Sequence, residues 1–330
     1  MLPPAARQNV VHPFDHLRAL SHELHPIWAA ELREETGIDT GFRRTGAIYL
    51  ARRPGEAASL VASAAFWRDE GITVEPLSTD ALAEMEPALA PLAREGAVRA
   101  AYLLPEESQL RNPWHMRALL AACQKRGVKV TAHCAAQSFL VAGGRVEGVQ
   151  TDHGVLQAEQ YCICSGAWTR MLLEQLGVTN GIEPIRGQIV LFRSPTVSLR
   201  RIIIEGSRYL VPRDDGRVLA GSTEEEEGFD KSTTETAIAD ITRFATTLAP
   251  TLANAVIEKT WAGLRPGTYD GLPYLGRAPG WENVYVAAGH FRNGIQLSPG
   301  TAVEMARLLC GEPNTVDLSP FHVGRRRDFD

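Results

Sequence analysis

The amino-acid sequence predicts a mixed α/β fold, with helices early in the chain and many strands in its second half. Apolar side chains recur at helical spacing from Phe14 to about Glu35 and again in the closing segment from Ser298 to Leu309. The stretch from Arg186 to Gly221 instead holds short β runs separated by turn residues such as Asp214-Asp215-Gly216, a pattern typical of hairpins. With 330 residues the chain is long enough for one large domain or two, and for a cleft that buries a cofactor.

Helices and strands can be assigned along the chain from these two periodicities. The predicted helices are Phe14 to Glu35, Glu56 to Glu70, Ser78 to Met85, Asn112 to Lys125, Thr234 to Leu248 and Ser298 to Leu309. In the last of them Ser298 is expected to be the N-cap and Pro299 the first helical residue. The predicted strands are Ala47 to Ala51, Val128 to Ala132, Ser138 to Val141, Arg145 to Thr151, Tyr161 to Cys164, Arg186 to Phe192, Arg200 to Glu205, Arg208 to Pro212, Val218 to Gly221, Trp261 to Gly263 and Val284 to Ala288.

Charge and cysteine content exclude several classes of function. Lys plus Arg number 34 against 39 Asp plus Glu, a net charge of −5, so the chain has no nucleic-acid-binding footprint. Five cysteines without CxxC spacing argue against a disulfide framework or a zinc site, and Cys162 and Cys164 are expected to be core residues on one face of a strand. No stretch reaches the roughly 18 apolar residues of a membrane span, and no signal peptide is recognisable, so a cytoplasmic location is expected.

Four segments place an arginine beside glycine or proline and point to chemistry. They are Pro184 to Gln188, Tyr209 to Arg213, Ala262 to Thr268 and Ala288 to Ile295. Glycines between a strand and a helix let the backbone approach a planar group, and the following helix N-terminus offers free N–H donors. A guanidinium in such a place is a natural partner of a carboxylate. Taken alone, an arginine between glycine and proline is more often a surface or loop-bracing residue than a ligand, and His290 could lie at the site without acting as a base.

Two charged runs are expected to lie in solvent. The acidic residues 224–227 read as a solvated loop, and Arg325 to Arg327 read as a frayed tail.

In this order the segments resemble the D-amino-acid-oxidase superfamily of FAD enzymes, and within it the glycine oxidases of the ThiO type. Trp261 to Thr268 is similar to the family string W-A-G-L-R-P-G-T, and Gly289 to Ile295 matches G-H-F-R-N-G-I without a break. Pro184 to Gln188 and Tyr209 to Arg213 resemble the strands P-V-R/K-G-Q/E and Y-[IL]-V-P-R, and residues 219–223 the V-G-A-T that follows. The resemblance runs through nearly the whole chain.

The resemblance implies a set of site residues. Substrate-binding roles fall on Arg265 for the carboxylate, Arg292 as a second contact and Tyr209 as the residue that closes the pocket. The residues expected along FAD are Met1, Ala136, Gly166, Gly289, His290, Phe291, Arg292, Asn293, Gly294, Ile295 and Gln296. No acid or base is assigned, because the flavin supplies the chemistry, and no metal is expected.

The opening of the chain departs from the family pattern. The family begins with a strand, G-x-G-x-x-G and a helix, but no G-x-G-x-x-G occurs in this sequence. The family's A-A-A-G-M-L-x-P is similar to Met1-Leu2-Pro3-Pro4, so about 40–50 residues of a βαβ start are expected to be missing. Met1 would then end a segment that lines the cofactor.

The resemblance implies a doubly wound FAD domain interleaved with an antiparallel-sheet substrate domain. The expected FAD domain comprises residues 1–40, 112–183 and 256–330, and the substrate domain residues 41–111 and 184–255. The implied reaction oxidises glycine or a small relative to the imine, with dioxygen reduced to hydrogen peroxide and the imine used for the thiazole of thiamine; a homo-oligomer is possible. Two alternatives stay open: another amine oxidase or quinone-linked D-amino-acid dehydrogenase, and an N-truncated, non-catalytic polypeptide.

Overall fold

A computed structural model describes residues 1–194 and 199–325 of the chain. Its helices are α1 (Pro13–Thr36), α2 (Pro54–Asp69), α3 (Thr79–Met85), α4 (Ala90–Arg94), α5 (Asn112–Lys125), α6 (Thr169–Gln175), α7 (Glu235–Leu248) and α8 (Gly294–Leu309). Its strands are β1 (Ala47–Ala51), β2 (Glu75–Pro76), β3 (Ala100–Leu104), β4 (Ala136–Ala142), β5 (Arg145–Thr151), β6 (Gly154–Leu156), β7 (Tyr161–Ile163), β8 (Glu183–Arg193), β9 (Ile202–Glu205), β10 (Arg208–Pro212), β11 (Arg217–Gly221), β12 (Val256–Gly267), β13 (Tyr274–Arg277) and β14 (Val284–Ala288). The mixed α/β fold class is confirmed. In the described part of the chain, no helix combines the length and the apolar character that crossing a bilayer requires.

The chain divides into two compact units. Unit 1 comprises residues 1–10, 42–110 and 186–264, and unit 2 comprises residues 11–41, 111–185 and 265–330. The interleaving resembles the expected FAD and substrate domains, except that residues 1–10 and 256–264 belong to unit 1 with the large sheet. The assignment of a cofactor role to one unit and a substrate role to the other stays a prediction.

Unit 1 is built on an eight-stranded sheet. Its strand order is β12-β8-β11-β10-β9-β1-β3-β2. The neighbouring pairs β8–β11, β11–β10 and β10–β9 are antiparallel. Helices α3, α4 and α7 contribute to the largest hydrophobic core, in which Leu82, Val190, Phe192, Ile203 and Leu248 are almost fully enclosed. Side chains alternate along β11 as the core requires, because successive residues of a strand point to opposite faces. This unit therefore carries the hairpin region that the turn residues predicted.

Unit 2 contains two three-stranded sheets. One has the order β13-β14-β7, with β14 parallel to β7, and the other is the antiparallel β4-β5-β6. Asn283 joins them: its Oδ1 accepts from the Val146 N–H, and its amide donates to the carbonyls of Val146 and Glu159. All three bonds lie at 2.8–3.1 Å, so a buried polar side chain has its hydrogen-bonding groups satisfied.

Helix α8 begins earlier than its sequence predicts. It starts at Gly294, and Pro299 lies inside the helix, so the expected N-cap at Ser298 is wrong. A proline at this position has no N–H for the carbonyl of Ile295 four residues earlier. The Ser298 hydroxyl donates to that carbonyl instead, at 2.9 Å, which lets the helix continue through the proline.

Helix α1 supplies further partners to the same turn of α8. His25 Nε2 lies 3.1 Å from the Ile295 carbonyl and 3.0 Å from that of Gln296, within reach to donate to both. Ser21 Oγ donates to the Leu297 carbonyl and accepts from the Gly300 N–H. At Gly300 a Cβ would lie 3.0 Å from the Leu17 carbonyl, so only glycine permits this approach of the two helices. Tertiary contacts with α1 thus complete the hydrogen bonding of an irregular helix.

Other predicted elements differ from the structure in smaller ways. Residues 128–132 form no strand, and the residue at the N-cap of α5 is Arg111 rather than Asn112. Arg325 is not frayed: its guanidinium binds both carboxylate oxygens of Asp270 and lies 4.0 Å from the centroid of the Tyr274 ring. Arg326 and Arg327 lie outside the described residues.

We expect Ser21→Ala to destabilise the protein by about 1–2 kcal/mol, because the Gly300 N–H and the Leu297 carbonyl lose a buried hydrogen-bonding partner. Ser59→Ala is the matched control, because the Ser59 hydroxyl also donates to a backbone carbonyl. That carbonyl belongs to Gly55 of the same helix, α2, and the position is exposed. Urea unfolding followed by circular dichroism measures both changes. Equal stability losses in the two variants would contradict the role given to Ser21.

Candidate functional site

The turn between β14 and α8 has a strained backbone. Gly289 takes φ 79° and Phe291 takes φ 48°, the left-handed region that a bulky residue rarely occupies. A Cβ on Gly289 would lie 2.7 Å from Thr268 Cγ2, so no other residue fits there without displacement. Strained turns of this kind are concentrated at functional sites, and this one contains the whole string from Gly289 to Ile295.

Gly166 lies beside this turn at the same edge of the sheet. Strands β7 and β14 are parallel, with Val286 opposite Ile163, so the residues that follow them run out side by side. Gly166 is the third residue after Ile163 and Gly289 is the third after Val286, and both glycines have positive φ. Nothing lies within 4 Å of a Cβ built on Gly166. The backbone after the carboxyl end of β7 is therefore open at Gly166, as it is in the ligand crevices of α/β sheets.

The N-terminus of α8 points donors into the same region. Asn293 is the N-cap of this 16-residue helix, and its side chain makes no capping bond. A helix N-terminus carries partial positive charge, which favours an electron-rich ring edge or an anion. Arg292 is exposed beside it, whereas Gln296 is buried one turn into the helix.

His290 is a neutral residue at this turn. Its Nε2 lies 3.0 Å from the Thr301 hydroxyl, and burial of the imidazole lowers its pKa to about 4. His25, under the same helix, also has its pKa lowered to about 4 by burial. Because His290 is uncharged at neutral pH and already hydrogen bonded, the structure favours a positioning role for it.

Three of the four segments singled out in the sequence meet within unit 2. Gly267 ends β12, and a Cβ there would lie 2.8 Å from Ile185 Cγ1, so the start of β8 packs directly against it. The next residue, Thr268, is the one that contacts Gly289. Arg265 therefore lies three residues before Thr268, which contacts the strained turn. It is the first residue of β12 that belongs to unit 2, and its side chain is half-buried.

Tyr209 and Met1 lie in unit 1. The Tyr209 ring covers the backbone of its cross-strand partner Gly221, where a Cβ would be 2.9 Å from the phenolic oxygen. Met1 and Tyr209 both pack against the small core of Ala47, Ile202, Ile204 and Val211. Gly221 is thus needed to hold the phenol, a requirement that the sequence pattern did not reveal.

A buried carboxyl also lies near Met1, and sequence reasoning missed it. Glu107 is fully enclosed and accepts from the Tyr49 hydroxyl at 2.8 Å, while its Oε1 has no hydrogen-bonding partner. Burial raises its pKa to about 7. The pair Glu106-Glu107 reads as a surface feature in the sequence, so no local pattern could have identified it.

Arg186 is a structural residue rather than a ligand. Its buried guanidinium donates to Glu225 at 2.6 Å and to Asp230 at 2.5 Å, and Gln188 adds bonds to Glu225. The acidic run at residues 224–227 is therefore not simply solvated, since Glu225 anchors its loop to β8. This ion pair corrects the expectation that the acidic run lies in solvent, whereas Arg186 has the loop-bracing role that an arginine beside glycine more often takes.

Two more expectations concern β4 and β7. Ala136 begins β4 at an exposed position of the β4-β5-β6 sheet, away from the strands that carry Gly166 and Gly289. Cys162 and Cys164 do share a face, with sulfurs 3.6 Å apart, but both are exposed, so the prediction that they are core residues is wrong. Within the described residues no cluster of three or more metal-ligating side chains is found.

The residues at the β14–α8 turn fit the flavin half of FAD. Gly166 and Gly289 both have a left-handed backbone, the space at Gly166 is open to a planar group, and the α8 N-terminus offers donors to the electron-rich edge of that group. Residues 1–330 contain no G-x-G-x-x-G for the pyrophosphate half.

Comparisons with known proteins point the same way. The family model described as FAD dependent oxidoreductase (DAO) matches residues 4–308. The chain is 34% identical to the glycine oxidase of Pseudomonas putida over 302 residues, which cover 91% of this chain and 80% of that protein. It is 31% identical to the bifunctional protein ThiO/ThiG of Trichormus variabilis, over 98% of this chain and 48% of that protein. The crystal structure of glycine oxidase from Geobacillus kaustophilus superposes with a TM-score of 0.90 at 33% identity, covering 97% of this chain and 85% of that one.

We expect Gly289→Ala to destabilise unit 2 by about 2–4 kcal/mol, since left-handed strain and overpacking each cost about 1–3 kcal/mol. Gly271→Ala is the matched control, because Gly271 has φ 75° but no atom within 4 Å of a Cβ. Gly271→Ala should lose only the stability that left-handed backbone strain costs. Thermal unfolding of both variants separates the two effects, and equal losses would show that the contact with Thr268 is unimportant.

Histidine burial predicts a pH dependence of stability. The unfolded chain binds a proton at His290 below about pH 6.5, whereas the folded chain does not until about pH 4. Stability is therefore complete above pH 6.5 and falls towards pH 4 by about 1.4 kcal/mol per pH unit for each such histidine. His290→Gln should reduce this slope by about one proton. Urea titrations between these pH values test it, with the exposed His153→Gln as control; an unchanged slope for His290→Gln would contradict it.

Proposed function

Because the chain belongs to the DAO family of FAD-dependent oxidoreductases, we propose that it oxidises glycine or a closely related small amino acid. The observation that carries the proposal is the contact of Thr268 with Gly289, which joins the segment containing Arg265 to the strained turn that fits a flavin. Oxidation of an amino acid requires a group that binds the carboxylate and a place for the acceptor of electrons. An arginine and a flavin-binding turn in one unit supply these two requirements.

The chain's own residues are proposed to bind and orient the substrate. Arg265 pairs with the carboxylate through two parallel N–H bonds, which fixes the direction of the α-carbon. Arg292 is the second substrate contact, and the hydroxyl of Tyr209 adds a hydrogen bond. When bound, FAD would supply the redox chemistry, taking two electrons and a hydrogen from the α-carbon of the substrate and returning the electrons to dioxygen as hydrogen peroxide. His290 positions the turn through Thr301 and moves no proton.

The imine product is proposed to enter thiamine thiazole synthesis in the cytoplasm. The relative named bifunctional protein ThiO/ThiG, to which this chain is 31% identical over 48% of that protein, supports this assignment. Five free cysteines are in keeping with a reducing compartment.

The decisive experiment is the absorption spectrum of the purified chain supplied with FAD, followed by anaerobic addition of glycine. Bleaching of the bound flavin by glycine, with oxygen uptake and peroxide release in air, supports the proposal. Bleaching by a D-amino acid but not by glycine, or reoxidation by a quinone but not by dioxygen, would favour a related dehydrogenase or amine oxidase. Failure to retain FAD would favour a non-catalytic polypeptide.

Arg265→Ala should weaken substrate binding by about 2–5 kcal/mol, because the carboxylate loses its charged partner. Arg265→Lys keeps the charge but not the fork of donors, so its effect should be intermediate. Arg145→Ala removes a surface arginine that pairs with Glu282 and is the control. Steady-state kinetics with glycine measure the effect, and an unchanged KM in Arg265→Ala would rule out the assignment.

Tyr209→Phe should cost about 1 kcal/mol of binding, the value of one hydrogen bond, with turnover retained. Gly221→Ala should raise KM further, because its Cβ needs the space that the phenol occupies, 2.9 Å away. KM and kcat for glycine are compared in both variants. Complete loss of turnover in Tyr209→Phe would require a catalytic role in place of a positioning one.

A further inference from the structure

The guanidinium of Arg325 is buried in unit 2 and holds one loop. Its side chain is 6% exposed, and Nε and Nη2 donate to the two carboxylate oxygens of Asp270 at 2.7 and 2.8 Å. It also donates to the carbonyls of Leu272 at 2.5 Å and Pro273 at 3.0 Å. Burial opposes ionisation of Asp270, but the hydrogen bonds from Arg325 and the Leu272 N–H outweigh it and hold the pKa of that carboxyl below its usual range. The pair is therefore charged at neutral pH.

Two core residues bring Arg325 to this loop. Phe321 is fully buried in the core that joins α1 to α8, and Val323 is 4% exposed in the core that contains Tyr274. The backbone that leads to Arg325 is therefore anchored independently of Asp270. A buried charge that loses its partner is costly, so each member of the ion pair needs the other.

Arg325 reaches the strained turn through Thr268. The Leu272 carbonyl that accepts from Arg325 also accepts from the Thr268 hydroxyl, at 2.9 Å. Thr268 Cγ2 is the atom that a Cβ on Gly289 would meet at 2.7 Å. One carbonyl oxygen therefore links the arginine to the residue that packs against the turn.

A second contact reaches the turn through Tyr274. The guanidinium of Arg325 lies 4.0 Å from the centroid of the Tyr274 ring, which is fully buried. The far end of the ring is fixed as well, because the phenolic oxygen accepts from the Gly181 N–H at 3.2 Å. A Cβ on Gly289 would lie 3.5 Å from Cδ2 of this ring. Both side chains that crowd Gly289 thus belong to residues that Arg325 helps to hold.

We propose that Arg325 is a positioning residue for the candidate site: with Asp270 it forms a clasp that keeps Thr268 and Tyr274 against the turn at Gly289. Arg325 acts through these residues and not on the substrate. The proposal rests on the proposed function in one respect, because the segment that the clasp holds begins three residues after Arg265. Without the clasp, residues 268–273 and the turn loosen together, and the direction of the Arg265 guanidinium is less well fixed.

Amide hydrogen exchange of the chain without FAD or substrate tests the clasp directly. Arg325→Gln should speed exchange at least about tenfold, both in residues 268–273 and in residues 289–293, because the loop loses its charged donor. Arg325→Lys keeps the charge but not the fork of donors, so it should show a smaller increase in the same two ranges. Arg307→Gln is the matched control, since Arg307 also contacts a carboxylate and a carbonyl, those of Glu312 and Pro313.

Faster exchange confined to residues 268–273, with residues 289–293 unchanged, would overturn the proposal, as would equal effects of Arg307→Gln. If Arg325→Gln does not fold, the milder Arg325→Lys decides the same question by whether both ranges change together.

Asp270→Asn removes the charge of the other half of the clasp. Its effect on exchange should not add to that of Arg325→Gln, so the double variant should lose no more protection than the more affected single variant. Additive effects at residues 289–293 would show that the two side chains act separately and would contradict the clasp.

Steady-state kinetics of the chain supplied with FAD connect the clasp to the proposed function. Arg325→Gln should raise the KM for glycine at least about fivefold with a smaller change in kcat, and Arg325→Lys should recover part of the loss. An unchanged KM in Arg325→Gln would overturn the positioning role. A parent chain that retains FAD but does not oxidise glycine would contradict the proposed function alone, and the exchange measurements would then decide the clasp.

Discussion

The proline inside α8 is the constraint around which unit 2 is arranged. Pro299 removes one hydrogen bond from the helix that begins at the strained turn, and a helix end left with unpaired carbonyls in the interior would be costly. Ser298, His25 and Ser21 together bond the carbonyls of Ile295, Gln296 and Leu297. Since two of these three side chains come from α1, the position of the α8 N-terminus depends on the docking of a distant helix, whose Ser21 is 276 residues away from Leu297 in sequence. The strained turn between β14 and α8 is therefore placed by tertiary contacts as much as by its own sequence.

Elements whose identity depends on local periodicity were predicted well. Helix α1 and strands β5 and β10 agree with their predicted bounds to within a residue, because apolar spacing and turn residues act within the segment itself. The start of α8 was wrong for the opposite reason. A proline after a serine is typical of a helix N-terminus, and only the partners offered by α1 allow the same pair to sit inside a helix. Likewise, the exposure of Cys162 and Cys164 depends on what covers β7, which their spacing cannot reveal.

The candidate site likewise has features that the local sequence predicts and features that depend on tertiary contacts. The residues that bear its chemistry could be named from the sequence, since Gly289 to Ile295 and Ala262 to Thr268 stand out by their glycines and arginines. What the sequence could not show is which of them touch: Thr268 against Gly289, Gly267 against Ile185, and the phenol of Tyr209 over Gly221. Arg186 illustrates the limit of the pattern, because an arginine beside glycine looks the same whether it binds a substrate or, as here, an acidic loop.

Strands β7 and β14 pair in parallel although more than 100 residues separate them along the chain. During synthesis on the ribosome β7 therefore emerges long before its partner, and its edge stays without a neighbour while the whole hairpin region of unit 1 is made. Contacts of such long sequence separation are closed late and slowly, since the loop entropy must be overcome first. The hairpins of unit 1, joined by short turns, can form as they emerge. In the order of assembly that follows, the hairpins of unit 1 form first, and the pairing of β14 with β7, with the strained turn after it, forms last.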